Sequence, residues 1–426
     1  MKISLNKNDL RIVLLGFVIR IAIALISSHP YDTAQFAIAQ RLFFQHGIIE
    51  LKYFPTLPLL YYVQLPFYAI YTGLQVLGLN DIQQFYRSTL MIEGLFLKLP
   101  LILSDVGGFW AIRLITQKRL PAVLYFFNPF IIYLSSGWGM YDTMMIFPLL
   151  VGFLLLQKYG RTGSSIAFVI SGLVKLIGFI PYSFLLVETL AKKRFKEAAL
   201  QIAAGALIAV ALIGPVVLLG GWREFLAGFL VRFVGLGDTV QGYYNYSPLA
   251  ILIGPAIRII RLQAVVLLLL VAYFLESRRL PSTTSNLLPL AKWSFIGVIA
   301  LNIFPPNGEV EWLSWIVPLG IVYGFLTNRS GLQYFTFLFG TMAAFVAMLY
   351  TQGTGYLLGT SLDFLPSLQA VANGLEIYAA TVLCLLILTL AYAWYRPVKF
   401  RYEIIGAVVL IYLQAYFWFG LVGVKV

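Results

Sequence analysis

The sequence predicts an all-α integral membrane protein that crosses the bilayer many times, and three observations predict it. Of 426 residues 60% are hydrophobic and only 11% are charged. Mean hydropathy is +0.87. The apolar residues fall in long runs without alternation. A membrane-spanning helix takes about 20 mostly apolar residues, whereas a transmembrane barrel shows roughly 10-residue alternating segments. Backbone polar groups in lipid find partners only within the chain, so helices are the fold that remains. The net charge of +13 sits at the ends of apolar runs, which is the pattern of cytoplasmic loops rather than of a nucleic-acid-binding face.

The elements follow in order. Lys2, Lys7 and Arg11 precede an apolar run over residues 12–26 that only Arg20 interrupts. No small-residue cleavage site follows, so this reads as a retained first helix and not a signal peptide. With those cations inside, Asp32 emerges outside, where the chain leaves the bilayer. Residues 29–58 are too polar and too rich in proline to span, and form a long first external loop. Residues 59–79 read as the next crossing. Arg113, Lys118 and Arg119 belong inside, so an odd number of crossings must separate Asp32 from Arg119. The stretch 82–115 is therefore split at Lys98-Leu99-Pro100 into two short helices that meet near the outer surface, close to Lys98 and Asp105. The same device is expected at Lys175 to Pro181, between the inside clusters at Arg161 and Lys192. Such hairpins carry polar residues partway into the membrane, which is tolerated where they line a water-filled cavity.

Helices over residues 120–134 and 143–157 then flank an external stretch, 138–142. Residues 220–246 are external and carry Arg223, Glu224, Arg232 and Asp238 interleaved with apolar residues, as in a surface-lying amphipathic helix. The run 248–276 returns inward, and 307–311 and 352–373 are outside. The charge pattern gives roughly 12 to 14 transmembrane helices in a single membrane domain, 1–426. The lone Cys384 excludes an intrachain disulfide and a cysteine metal site, and reads as a small buried apolar residue.

On this topology Asp32, Asp105, Asp142, Glu309 and Glu311 gather at the outer face, and Lys98 and Lys175 approach the same level. Carboxylates there can take a proton from a hydroxyl, hold a divalent cation, or do both. Lysines beside them can neutralise a phosphate leaving group. Each residue also has a plain structural reading. Asp142 suits a helix N-cap; Lys98 and Asp105 suit an intramembrane pair; Lys175 suits a snorkelling lysine; Glu309 and Glu311 suit solvated loop charge. His29 and His46 are the only histidines, too few for a histidine metal site.

Three segments carry a resemblance. Asp32 is followed by a helical stretch, His46-Gly47, and a run from Tyr53 through Pro55 to Pro58. Lys98-Leu99-Pro100 is followed by Ser104-Asp105. Asn128-Pro129 is followed by Ser135-Ser136-Gly137-Trp138-Gly139-Met140-Tyr141-Asp142, with Lys175 and Pro181 beyond it. Together they resemble the GT-C superfamily, the multispanning glycosyltransferases that use polyprenyl-phosphate-linked sugars. The third segment is similar to the "NP…WGQxD" pattern of that superfamily's dolichyl-phosphate-sugar enzymes, with Met140 in place of the usual glutamine. The likeness covers roughly the first 190 residues. It implies a catalytic module over 1–195, with more variable helices on the donor-lipid side over 196–426. The later stretch from Pro305 to Trp312 matches loosely, and has two glutamates where many relatives have a His-Glu pair. Asp32 also stands alone where many relatives have two acidic residues.

The resemblance implies transfer of a hexose, mannose or glucose, from a polyprenyl-phosphate donor to a hydroxyl of a lipid or lipid-linked glycan, with inversion. Asp32 would be the general base. Asp142 would position the acceptor, assist deprotonation, or share a divalent cation such as Mg or Mn with Asp32. Lys98 and Lys175 would face the lipid phosphate, with Arg232 a looser candidate. Asp105, Trp138 and Tyr141 would line the substrate site, and Glu309 and Glu311 would contact sugar hydroxyls or metal. The site would lie on the extracytoplasmic or luminal face, in a prokaryotic plasma membrane rather than endoplasmic reticulum. No glycine-rich phosphate loop is present, as a lipid-phosphate donor requires none. Two alternatives share the composition. A secondary transporter would place polar sites near the bilayer midplane in paired broken helices, and a flippase or polymerase of lipid-linked glycans would lack the Asp32 and Asp142 pairing.

Overall fold

The computed structural model describes residues 6–29, 32–47, 49, 59–79, 81, 90–216, 218, 262–280, 287–303 and 310–350. Arg232, Glu309, Cys384, the tyrosines at 243, 244 and 246, and the stretches 220–246 and 352–373 lie outside the described residues. Among the described residues the chain is helical throughout, with no strand, as the composition predicts. The first half runs α1 (Lys7–Ile26), α2 (Asp32–His46), α3 (Leu59–Val76), α4 (Met91–Thr116), α5 (Arg119–Phe126) and α6 (Pro129–Ile132). A π-helical turn (Tyr133–Trp138) leads to α7 (Asp142–Lys158), α8 (Arg161–Val174), a 3-10 turn (Leu176–Gly178), α9 (Phe179–Ala191) and α10 (Phe195–Val216). Then come α11 (Leu262–Arg279), α12 (Leu287–Ile303), a 3-10 turn (Val310–Trp315), α13 (Ile316–Leu326) and α14 (Ser330–Tyr350). Two of these helices, Met91–Thr116 and Phe195–Pro215, are long and apolar enough to cross a bilayer, and a third span results if the bent pair Arg119–Phe126 and Pro129–Trp138 counts as one.

The central helix, α4, corrects the expected split at Lys98-Leu99-Pro100. It is one helix of 26 residues with Pro100 inside it. Proline removes one helical N–H and crowds the preceding turn, but here packing along the whole helix outweighs that cost. On one flank α1 runs antiparallel to it: Lys98 Nζ donates to Ala24 O at 3.4 Å, Arg20 pairs with Asp105 at 2.8 Å, and Arg113 pairs with Asp9 at 3.2 Å. On the other flank α3 takes only the first turns. Gln64 Nε2 donates to Leu97 O at 3.1 Å and Tyr68 OH to Glu93 Oε1 at 2.6 Å. Asp81 accepts from Ile92 N and Glu93 N, both at 2.9 Å, and so caps the start of α4 where four helical N–H groups need partners. The register leaves α3 beside the N-terminal part of α4, beyond the end of α1. The helix expected over 59–79 is present as α3 and packs on the N-terminal part of α4.

The expected helix over 120–134 is broken as well. Asn128 caps α6 by accepting from Phe130 N, and Pro129 at the first helical position starts it. The two helical segments meet at 49°. Tyr133–Trp138 then widens into a π turn and ends at Gly139, whose φ is +86°. By contrast, the turn expected at Lys175 is present. Lys175 is extended, with φ −151° and ψ 131°, between α8 and the 3-10 turn. The chain folds back so tightly that a Cβ on Gly178 would lie 2.3 Å from Gly172 N. At the opposite end of α9, Glu188 binds Arg161 at 2.7 Å, Lys192 at 2.9 Å and Tyr273 OH at 2.9 Å, which ties α8 and α11 to α9.

Candidate functional site

Two segments far apart in sequence are laced together beside the C-terminal end of α1. His29 N donates to Trp138 O at 3.2 Å, Thr33 Oγ1 to the same carbonyl at 3.0 Å, and Ser27 Oγ to Gly137 O at 3.1 Å. These bonds place the start of α2 against the end of the π turn. Trp138 Nε1 then donates to Asp32 Oδ2 at 2.7 Å. The His29 ring stacks on Trp138 with centroids 5.2 Å apart, and His29 Nδ1 lies 3.1 Å from Asp32 Oδ2. Burial pushes the Asp32 carboxyl up, but the hydrogen bond and charge of His29, the Trp138 bond and the charge of Lys175 outweigh it and hold the group below its ordinary value. Asp32 keeps 20% of its side chain exposed. It is therefore an ionised carboxylate with an open side.

Next to it is a buried charge cluster. Lys175 Nζ donates to Asp142 Oδ1 at 3.0 Å and Oδ2 at 3.2 Å, and to Glu311 Oε1 at 3.4 Å. Trp315 Nε1 donates to Asp142 Oδ1 at 2.5 Å. The ammonium also lies 5.2 Å from the Tyr141 ring centroid and 5.1 Å from that of Trp315, a cation–π arrangement. Trp312 stacks on Trp315 at 5.4 Å. Asp142 is fully buried and Glu311 nearly so; ions that far from water persist because they are paired and hydrogen-bonded.

The structure thus brings together Asp32, Trp138, Tyr141, Asp142, Lys175 and Glu311 from the sequence-expected set, and leaves two members out. Asp105 is fully buried one helix turn and more below, paired with Arg20, whose other nitrogens bond Gly16 O at 3.2 Å and Phe126 O at 2.6 Å. It stabilises the packing of α1 on α4 instead of lining the site. Lys98 does not pair with Asp105. Its Nζ caps the last carbonyls of α1, those of Ala24 and Ser27, where the helix dipole is negative. Full burial there turns it away from any lipid phosphate.

The plain readings of the remaining residues also change. Tyr141, not Asp142, holds the N-cap position of α7 and makes no side-chain cap bond, because the Asp142 carboxylate is turned to Lys175 and Trp315. Lys175 does not snorkel, and Glu311 is not solvated. His29, Thr33, Trp312 and Trp315 were not among the expected site residues. His29 and Thr33 flank Asp32 within three residues, the one signal that pointed to them. The donor set does not suit a divalent cation: the Lys175 ammonium already bridges Asp142 and Glu311. No three His, Cys, Asp or Glu side chains converge on a metal position among the described residues.

Gly139 holds the hinge between these parts. A Cβ there would lie 3.0 Å from Thr33 Oγ1 and 3.1 Å from Lys98 Cε, and the φ of +86° disfavours any L side chain. Gly139→Ala is expected to cost about 1–2 kcal/mol, read as a lower unfolding temperature in detergent. No known protein family, curated protein or solved structure matches this chain.

Proposed function

We propose that this chain is a polytopic membrane glycosyltransferase of the GT-C type, moving a hexose from a polyprenyl-phosphate donor to a hydroxyl of a lipid or lipid-linked glycan. The observation that carries this reading is the state of Asp32: ionised, held by Trp138 and His29, and open on one side. A general base needs that combination, a free lone pair within reach of a hydroxyl and a charge kept at working pH. Trp312, half-buried and stacked on Trp315, offers an aromatic face suited to the apolar side of a sugar ring.

The proposed reaction is an in-line displacement. The acceptor O–H bond breaks, its proton passes to Asp32, and the oxygen attacks the anomeric carbon from the side opposite the phosphate. The bond from that carbon to the phosphate oxygen breaks with its electron pair, and the polyprenyl phosphate leaves. Attack and departure on opposite faces invert the configuration. Lys175 holds Asp142 and Glu311 in place, and its charge helps keep Asp32 ionised. Arg232 is the candidate partner for the lipid phosphate. Reading the basic residues as inside, α1 leads out and α4 leads back, and the proposed site lies at the extracytoplasmic end of α1.

The test is incubation of the purified protein in lipid nanodiscs with a panel of polyprenyl-phosphate mannose and glucose donors and lipid acceptors. A β-linked donor is expected to yield an α-linked product. A retained configuration would overturn the in-line role of Asp32. Counterflow of an unmodified solute in proteoliposomes, with no covalent transfer from any donor, would favour a transporter instead.

A further inference from the structure

We propose that His29 is the proton partner of Asp32: it receives the proton that Asp32 takes up and delivers it to water. The catalytic part of this rests on the glycosyltransferase reading; the proton pairing itself does not.

The geometry is specific. His29 Nδ1 lies 3.1 Å from Asp32 Oδ2 and also 3.1 Å from Asp32 N, from which it accepts a hydrogen bond. A backbone N–H can only donate, so this bond requires Nδ1 to carry a lone pair, the neutral ring with hydrogen on Nε2. The carboxylate oxygen can only accept, so it binds the same nitrogen when Nδ1 is protonated. One nitrogen therefore serves two partners of Asp32 in two states that differ by a single proton. Nothing else about the ring has to change. It is pinned by stacking on Trp138 and by the His29 N to Trp138 O bond, and 17% of its side chain meets solvent.

The charges facing the pair act in both directions. From α2, Asp32 favours the imidazolium. From α4, the fully buried Lys98 amine sits on the Ser27 carbonyl two residues away and disfavours it only when charged. From the turn before α9, Lys175 also disfavours it, but Asp142 and Glu311 largely neutralise that ammonium. The π turn contributes Trp138, which is uncharged. Asp32 is the one in direct contact, 3.1 Å from Nδ1.

In the transfer step the proton that reaches Asp32 moves on to Nδ1: the Asp32 O–H bond breaks and the Nδ1–H bond forms. The imidazolium then loses a proton from Nε2 to water, and exchange with solvent restores the Nε2–H tautomer. One proton leaves per sugar transferred, and Asp32 is again a carboxylate for the next acceptor. The relay starts with His29 neutral; in that state the Trp138 hydrogen bond and the Lys175 charge act on Asp32 without the imidazole, and a ring already protonated cannot take part.

The test uses the full chain in nanodiscs with 15N-labelled histidine. The chain has two histidines, so His46→Gln assigns both signals. The protonation equilibrium of His29 is expected to fall about tenfold or more in Asp32→Asn, the loss of one adjacent opposite charge. The neutral ring is expected to carry its proton on Nε2. A protonated fraction unchanged by Asp32→Asn, or a neutral ring protonated on Nδ1, would overturn the pairing. His29→Asn then tests the relay, since its carbonyl oxygen still accepts from Asp32 N but cannot titrate. Transfer is expected to drop about 10- to 100-fold in kcat with donor KM unchanged, and the rise of rate with pH is expected to disappear. An unaltered pH profile in a folded His29→Asn protein would overturn the relay. If the NMR response to Asp32→Asn is seen but no donor is turned over by wild type, the glycosyltransferase reading fails and the proton pair stands.

Discussion

Asp32→Asn is expected to lower sugar transfer about 10²- to 10⁴-fold while leaving the unfolding temperature and donor binding close to those of wild type. The separation of the two effects is what makes the result informative. An amide has the shape of the carboxylate, and its oxygen still accepts from Trp138 Nε1, which now reaches Asp32 Oδ2 at 2.7 Å. What it lacks is the lone pair basic enough to take a proton. Asp32 is also the acid of the cluster whose charge is least involved in holding the bundle: Asp142 and Glu311 both anchor Lys175, whereas Asp32 keeps an open face. A loss of transfer accompanied by a collapse of the fold would point to a structural role for Asp32. A fully active amide variant would remove it from the chemistry.

The second large effect concerns stability. Arg20→Leu is expected to destabilise the protein by about 3–5 kcal/mol, because removing one partner of a buried ion pair leaves the other charge uncompensated. Arg20 and Asp105 are both fully buried and 2.8 Å apart. The same guanidinium satisfies the carbonyls of Gly16 and Phe126 and lies 4.1 Å from the Phe126 ring centroid, so the single variant loses all three elements of contact at once. The double variant Arg20→Leu/Asp105→Leu removes both charges and is expected to recover most of the loss. Denaturant unfolding in mixed micelles measures both. A single variant as stable as wild type would mean that the Asp105 charge is compensated elsewhere.

The parts of this architecture that the sequence made legible are those governed by local chemistry. The helical class followed from apolar runs in a chain with few charges. The turn at Lys175 followed from a lone lysine between apolar segments with Pro181 close behind. The convergence of Asp32 with the Trp138 to Asp142 segment rested instead on the charge-pattern topology and the motif resemblance. What was not legible depends on partners that sequence does not display. Lys98 is satisfied by main-chain carbonyls at the end of another helix, and any residue can offer a carbonyl. Asp105 finds Arg20 across 85 positions, and Glu311 finds Lys175 across 136. The split assigned to α4 failed for a different reason. It was forced by the parity of the charge clusters, whereas Pro100 sits inside one continuous helix of 26 residues.

The most direct test of the central claim is to find where the donor sits. A polyprenyl-phosphate hexose bearing a photoreactive diazirine on the sugar would be bound to the wild-type protein in nanodiscs, irradiated, and the labelled peptides identified by mass spectrometry. The account predicts label within residues 29–33, 138–142 and 311–315, competed away by unmodified donor. Specific label confined to the opposite end of the bundle, around Arg161, Glu188 and Lys192, would contradict it.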